Sequence, residues 1–159
     1  MIDKLNLFVT DAAKSVFTTM LDWKINPLSP EEESKNPHRF PLAAVNGNIG
    51  FAGALAGGIY FCVSESLALS ICQKMLGEGS WREEMADVIG ELTNMLAGSV
   101  KSRLCDAGYQ VAMSIPNIML GTQLYASSRD MQFLVRRSFA LESTGETFEV
   151  VVMGRMDQS

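Results

Sequence analysis

One histidine and three cysteines in 159 residues leave little from which to build a metal centre or a nucleophilic site. Cys62, Cys72 and Cys105 are odd in number, show no C-x-x-C spacing and lie inside apolar or helical patterns. That arithmetic fits buried reduced thiols of a cytoplasmic protein better than a disulfide framework or a zinc site. His38 falls in a proline-rich stretch, with no Ser-His-Asp or Cys-His motif elsewhere, so it reads as a solvated loop residue and not as a catalytic base. Basic charge is scarce as well. Thirteen Lys and Arg against 18 Asp and Glu give a net charge of -5, and no basic cluster exceeds the Arg136-Arg137 pair. Nucleic acid is therefore not an expected partner.

One long uncharged run exists. Leu42 to Val63 holds 22 positions without a charged residue, enough to raise the question of a membrane span. Five glycines, at positions 47, 50, 53, 57 and 58, together with Asn46 and Asn48, argue against a lipid-facing helix. The β-rich ends, Leu42 to Val45 and Ile59 to Val63, predict two strands joined through a glycine-rich bend, a buried hairpin. The glycines do not form a phosphate loop either. Gly53-Ala-Leu-Ala-Gly57-Gly58 lacks the Lys-Ser/Thr pair and leads into a strand, whereas nucleotide loops lead into a helix N-terminus. Near residue 1, Asp3 and Asp11 interrupt the apolar run of a secretory signal, so neither export nor a membrane partner is expected.

What the chain does have is amphipathic pattern. With 47% hydrophobic and 19% charged residues, positions 1–159 are expected to form a single domain with a sizeable core. Leu5, Phe8, Val9, Ala12, Ala13, Val16, Phe17, Met20 and Leu21 recur at helical spacing and predict a helix from Asp3 to Leu21. Asn26 to Pro41, with four prolines and three consecutive glutamates, reads as a surface loop. Ser64 is placed to cap a second helix that Gly77 stops, and Gly108 to end a third. Tyr109 to Leu120 reads as a strand interrupted at Pro116, which suggests a sheet edge or a bend. Alternation over Met131 to Glu142, and again at Phe148, Val150 and Val152, predicts a closing hairpin around Ser143 to Glu146. The expected class is α+β, a largely antiparallel sheet packed by helices. A weak internal duplication lays Met20-Leu21 on Met95-Leu96, each beginning a helix-then-strands half.

The longest helical stretch, Ala86 to Leu104, carries two faces. Val88, Ile89, Leu92, Met95, Leu96, Val100 and Leu104 form the apolar one. Asp87, Glu91, Asn94, Gly98 and Lys101 advance by four, three, four and three and so share the opposite stripe. Any surface helix has a polar back, and an E-x-x-N arises easily by chance. Two details speak for function. Asparagine is a mediocre helix former, and a mid-helix glycine costs about 1 kcal/mol against alanine. A flat surface that a partner approaches closely would account for both.

The same segment resembles the CheC/CheX/FliY family of chemotaxis phosphatases, whose signature is an acidic residue or serine, then E-x-x-N, then a distant proline. Here it stands as Asp87, Glu91, Asn94 and Pro116, with 21 residues between the last two, one short of the family's commonest spacing. GELTNMLAG, the SESLAL helix start and the Met-Leu-Gly before the long helix are similar to the CheX branch. The resemblance implies a CheC-like fold, a homodimer joined through the sheets, and hydrolysis of the aspartyl phosphate on a CheY-type response regulator. It further implies that Asn94 orients the attacking water and that Glu91 pairs with the regulator's lysine. Asp87, Gly98 and Lys101 would then be docking surface. No cofactor of the chain's own is implied, magnesium being held by the regulator. Val16 and Thr19 stand where a second Glu and Asn would be, so one active face per chain is expected. The rival is a non-catalytic module that binds a chemotaxis or flagellar signalling protein with the same face.

Overall fold

A computed structural model describes residues 1–29, 39–77, 79 and 81–156. The expectation for His38 lies outside these residues. Helix α1 (Ile2–Val16) runs directly into a π-helical segment, Phe17–Leu21, and Asp22 closes it in the left-handed conformation at φ 54°. Its buried positions, Leu5, Val9, Ala12, Ala13, Val16, Phe17 and Leu21, belong to the predicted stripe. Helix α2 (Glu65–Leu76) starts where Ser64 Oγ accepts from the Leu67 N–H at 3.1 Å and stops at Gly77, φ 80°. Helix α3 spans Trp81–Asp106, and Gly108 at φ 96° turns the chain out of it.

Among the described residues there are nine strands: β1 (Ile25–Pro27), β2 (Arg39–Pro41), β3 (Val45–Gly53), β4 (Leu55–Val63), β5 (Val111–Met113), β6 (Asn117–Leu120), β7 (Tyr125–Ser127), β8 (Phe133–Leu141) and β9 (Thr147–Met156). Seven form one sheet in the order β1-β8-β9-β4-β3-β5, with β6 also on β3, and every pairing is antiparallel. The order has an internal two-fold logic. The strand after α1 pairs with β8 of the second half, the strand after α3 pairs with β3 of the first, and β4 meets β9 at the centre. The duplication sensed in the sequence is therefore visible as topology.

Two expectations need correction. The Asn26 to Pro41 stretch is not loop throughout, since its ends are β1 and β2. Proline survives there because β1 is an outer strand and β2 pairs only with β7, so a missing N–H leaves no ladder partner stranded. The hairpin at 45–63 has no glycine-rich bend. Both strands are nine residues long and pair from Val45↔Val63 to Phe51↔Gly57; Ala54 alone lies between them, after Gly53 at φ 135° closes β3. Glycine lies within the strands instead, because neighbours come close: a Cβ on Gly57 would strike the Met153 carbonyl oxygen of β9. Strand β7 matches no element expected from the sequence.

The helices cover one face of the large sheet. Ile49, Leu55, Ile59, Phe61, Val135, Phe139, Phe148, Val150 and Val152 point into this core. Phe17 from the π-helical segment stacks on Phe148 at 4.4 Å between ring centroids. On the opposite face the β2–β7 ribbon places Phe40 and Ala126 over Val151 and Met153. No helix among the described residues is long and apolar enough to cross a membrane.

Candidate functional site

Helix α3 buries Met85, Val88, Ile89, Leu92, Leu96, Ala97, Val100 and Leu104, and Met95 is half-buried against the same core. That leaves the predicted stripe outward. Asp87, Glu91 and Asn94 are exposed, whereas Gly98 and Lys101 are half-buried, so the polar face is most open over its N-terminal half. Glu91 and Asn94, three residues apart, project side by side. Among the described residues neither side chain has a hydrogen-bond or ion-pair partner. A carboxylate and an amide held in water by a rigid helix, and unengaged within the chain, are free to engage something outside it.

Two close contacts hold α3 near Glu91 and Asn94. Thr93, fully buried between Glu91 and Asn94 in sequence, donates from Oγ1 to the Ile89 carbonyl at 2.6 Å and seats its side chain over Gly47 on β3. A Cβ at position 47 would occupy the place of that hydroxyl. With Thr93 against the sheet, Glu91 stands roughly 160° round the helix from it and Asn94 roughly 100°, so both side chains clear the sheet. The second contact is at Gly90. Pro116, which enters at the break between β5 and β6, has its Cγ 3.7 Å from where a Gly90 Cβ would stand, and Ile118 Cδ1 lies at 3.6 Å. The distant proline of the signature thus packs on the helix one residue before Glu91 and one turn before Asn94.

The stripe is legible in the sequence, whereas neither contact is. The sequence pattern puts Gly47 in a glycine-rich bend and gives Gly90 no role beyond its place in GELTNMLAG. The signals were a threonine on the buried side of ELTN and a small residue preceding the glutamate. Gly98 behaves differently from Gly47, because a Cβ there meets nothing within 4 Å. Packing inside the chain does not require it. On α1 the position matching Glu91 is Val16, 7% exposed and part of the core, while Thr19 is exposed. That half presents no carboxylate–amide pair.

Away from α3, a cavity of about 540 Å³ opens on the other face of the sheet, lined in part by Cys62, Ser64, Arg136, Ser138, Thr147 and Glu149. Its charges are already matched, since Arg136 donates to Glu149 through Nε and Nη2 at 3.0 Å each. Burial, with a smaller contribution from the Glu149 carboxylate, pushes the Cys62 thiol up to about 12. Because alkylation needs the thiolate, only about one Cys62 in ten thousand is reactive at pH 8. Native protein should leave Cys62 unmodified by iodoacetamide at that pH, as read by peptide mass mapping, and unfolded protein should lose the protection. Rapid native labelling would show the thiol to be less buried than described. Among the described residues, no three His, Cys, Asp or Glu side chains converge as a metal-binding group.

Comparison with known proteins points the same way. The family model described as "Chemotaxis phosphatase CheX" matches residues 45–136, a span that includes the hairpin, α2, α3 and Pro116. The "CheY-P phosphatase CheX" of Thermotoga maritima is 32% identical over 118 residues, covering 72% of this chain and 76% of that protein. The crystal structure of a CheC-like superfamily protein from a Shewanella species superposes with a TM-score of 0.79 at 30% identity, over 98% of this chain and 99% of the other. The CheX chain in a CheX–CheY complex with beryllofluoride and magnesium from Borrelia burgdorferi shares the fold, with a TM-score of 0.77 at 23% identity over 98% and 99% of the two chains.

Proposed function

Because the chain belongs to the chemotaxis phosphatase CheX family, we propose that it hydrolyses the aspartyl phosphate of a CheY-type response regulator, using the outer face of α3. The observation that carries the reading is the exposed and unpartnered Glu91–Asn94 pair, held outward by Thr93 and Pro116. The Thermotoga relative is named for this activity, and the Borrelia protein was crystallised with CheY.

The roles follow from the chemistry. Asn94 enters the regulator's acidic pocket and orients a water in line with the phosphorus. Water's oxygen forms the new P–O bond, the bond to the aspartyl oxygen breaks, and inorganic phosphate and a free aspartate result. Such transfer through a loose transition state depends mainly on positioning and charge stabilisation. An amide is suited to the task because it accepts and donates without titrating. Glu91 pairs with the regulator's lysine and holds Asn94 in register. Magnesium belongs to the regulator, so the chain needs no cofactor of its own. Asp87, Gly98 and Lys101 provide docking surface, and the open space over Gly98 lets a partner's backbone come close. The same reading takes residues 1–159 as one domain that works in the cytoplasm as a homodimer joined through the sheets.

A phosphate-release assay against a panel of phosphorylated response regulators tests the proposal. At least one should lose phosphate faster in the presence of the chain. Binding without any shortening of the phosphate lifetime across the panel would favour the non-catalytic module instead. Glu91→Ala should lower both affinity and turnover, with KM rising at least about tenfold, since the regulator's lysine then loses its charged partner. Steady-state kinetics would separate the two effects, and an unchanged KM would remove Glu91 from the docking role.

A further inference from the structure

Ile115 is 81% exposed, the most exposed large hydrophobic side chain among the described residues. It stands between β5 and β6, immediately before the proline that packs on Gly90. Isolated surface hydrophobics are ordinary. This one differs in how it is held. On one side, Ser114 is tied to β3 twice: its N–H donates to the Gly50 carbonyl at 2.9 Å, and its Oγ accepts from the Gly50 N–H at 3.0 Å. On the other side Pro116, with φ fixed by its ring, rests against α3. The backbone on both sides of Ile115 is thus held, and its branched apolar side chain stands out in water one residue from the Pro116 contact on α3. The Pro116 contact is one residue from Ile115 and one helical turn from Asn94.

From this placement we infer that Ile115 is an apolar docking residue for the response regulator that engages the outer face of α3. The inference rests on the phosphatase reading above. A stripe made of Asp87, Glu91, Asn94 and Lys101 offers charge and hydrogen bonding but little apolar area. Interfaces of that kind draw much of their affinity from a few packed apolar or aromatic anchors, surrounded by contacts that exclude water. A residue whose backbone is already held loses less freedom on binding, which favours a preorganised anchor. β-Branching at Ile115 strengthens this, because it leaves few χ1 states to lose. Ile115 contributes to recognition and not to the chemical step, since it has no group that could act on water or phosphate.

The test compares wild type with Ile115→Ser, Ile115→Val and Tyr125→Ser. Tyr125 is also exposed but lies on the β2–β7 ribbon across the sheet from α3. Two readouts are used: kcat and KM for the phosphorylated regulator that wild type dephosphorylates, and Kd for the same regulator carrying beryllofluoride. Ile115→Ser should raise KM and Kd about tenfold with kcat within about twofold, the loss expected for truncating one interface anchor. Ile115→Val and Tyr125→Ser should stay near wild type. If Ile115→Ser matches wild type in both KM and Kd while wild type remains active, the docking role is overturned and the phosphatase reading stands. If Ile115→Ser lowers kcat alone, the residue acts elsewhere than in docking and the inference also fails. If wild type neither binds nor dephosphorylates any regulator, the phosphatase reading falls and takes this inference with it.

Discussion

Gly47→Ala is expected to cost about 3 kcal/mol of stability, lowering the thermal midpoint by about 6–12 °C, and to reduce phosphatase activity in the molecules that remain folded. The new methyl group would take the place of the Thr93 hydroxyl, which is buried and tied to the Ile89 carbonyl at 2.6 Å. Neither partner can give way cheaply, because Gly47 sits in a strand paired on both sides and Thr93 lies mid-helix. Relief comes only from lifting or rolling α3 on the sheet, and either movement re-aims Glu91 and Asn94. Thr93→Ala should restore most of the loss in the double variant. The remaining approach, to the Thr93 Cβ at 2.8 Å, would require a further small shift. Thermal melts of the four-member cycle provide the check. Strict additivity of the two substitutions would mean that Gly47 and Thr93 do not meet as described.

Asn94→Ala should leave the complex with the regulator largely intact, Kd changing by less than about threefold, while turnover falls by about a hundredfold or more. Affinity survives because Glu91 still meets the lysine and the rest of α3 still docks. Rate is lost because nothing remains to hold the water in line. Asn94→Asp sharpens the contrast. It keeps the size of the side chain but adds negative charge where the regulator is itself acidic, so it should lose both binding and rate. The split between alanine and aspartate distinguishes a positioning amide from a residue that merely fills space.

Much of this fold was legible because amphipathic period and end signals agreed. Ser64 and Gly77 delimit α2, and the stripe from Leu5 to Leu21 matches the buried face of α1 and its π-helical extension. Arg136 and Ser138 lie on the far side of β8 from Val135 and Phe139, as the alternation implied. The misreadings share one cause. Asn26, Pro27 and Pro41 look like loop residues, yet they sit on strands whose partners lie more than 80 positions away in sequence. Local composition carries no record of such pairing. The glycines of β3 and β4 were assigned to a bend for the same reason, since the Met153 carbonyl and the Thr93 hydroxyl that require them come from distant segments. For the site, the sequence showed which residues share a face, and the family signature singled out Glu91, Asn94 and Pro116. How Pro116 bears on the helix, through the bare backbone at Gly90, became clear only in three dimensions.

The most direct measurement is the lifetime of aspartyl phosphate on a cognate regulator with a saturating amount of the chain, wild type or Asn94→Ala, while complex formation is followed in parallel. Wild type should shorten that lifetime, and Asn94→Ala should bind and leave it at the regulator's own value. If Asn94→Ala shortens the phosphate lifetime as wild type does, Asn94 does not position the water, and the account of the α3 face as a catalytic surface is contradicted.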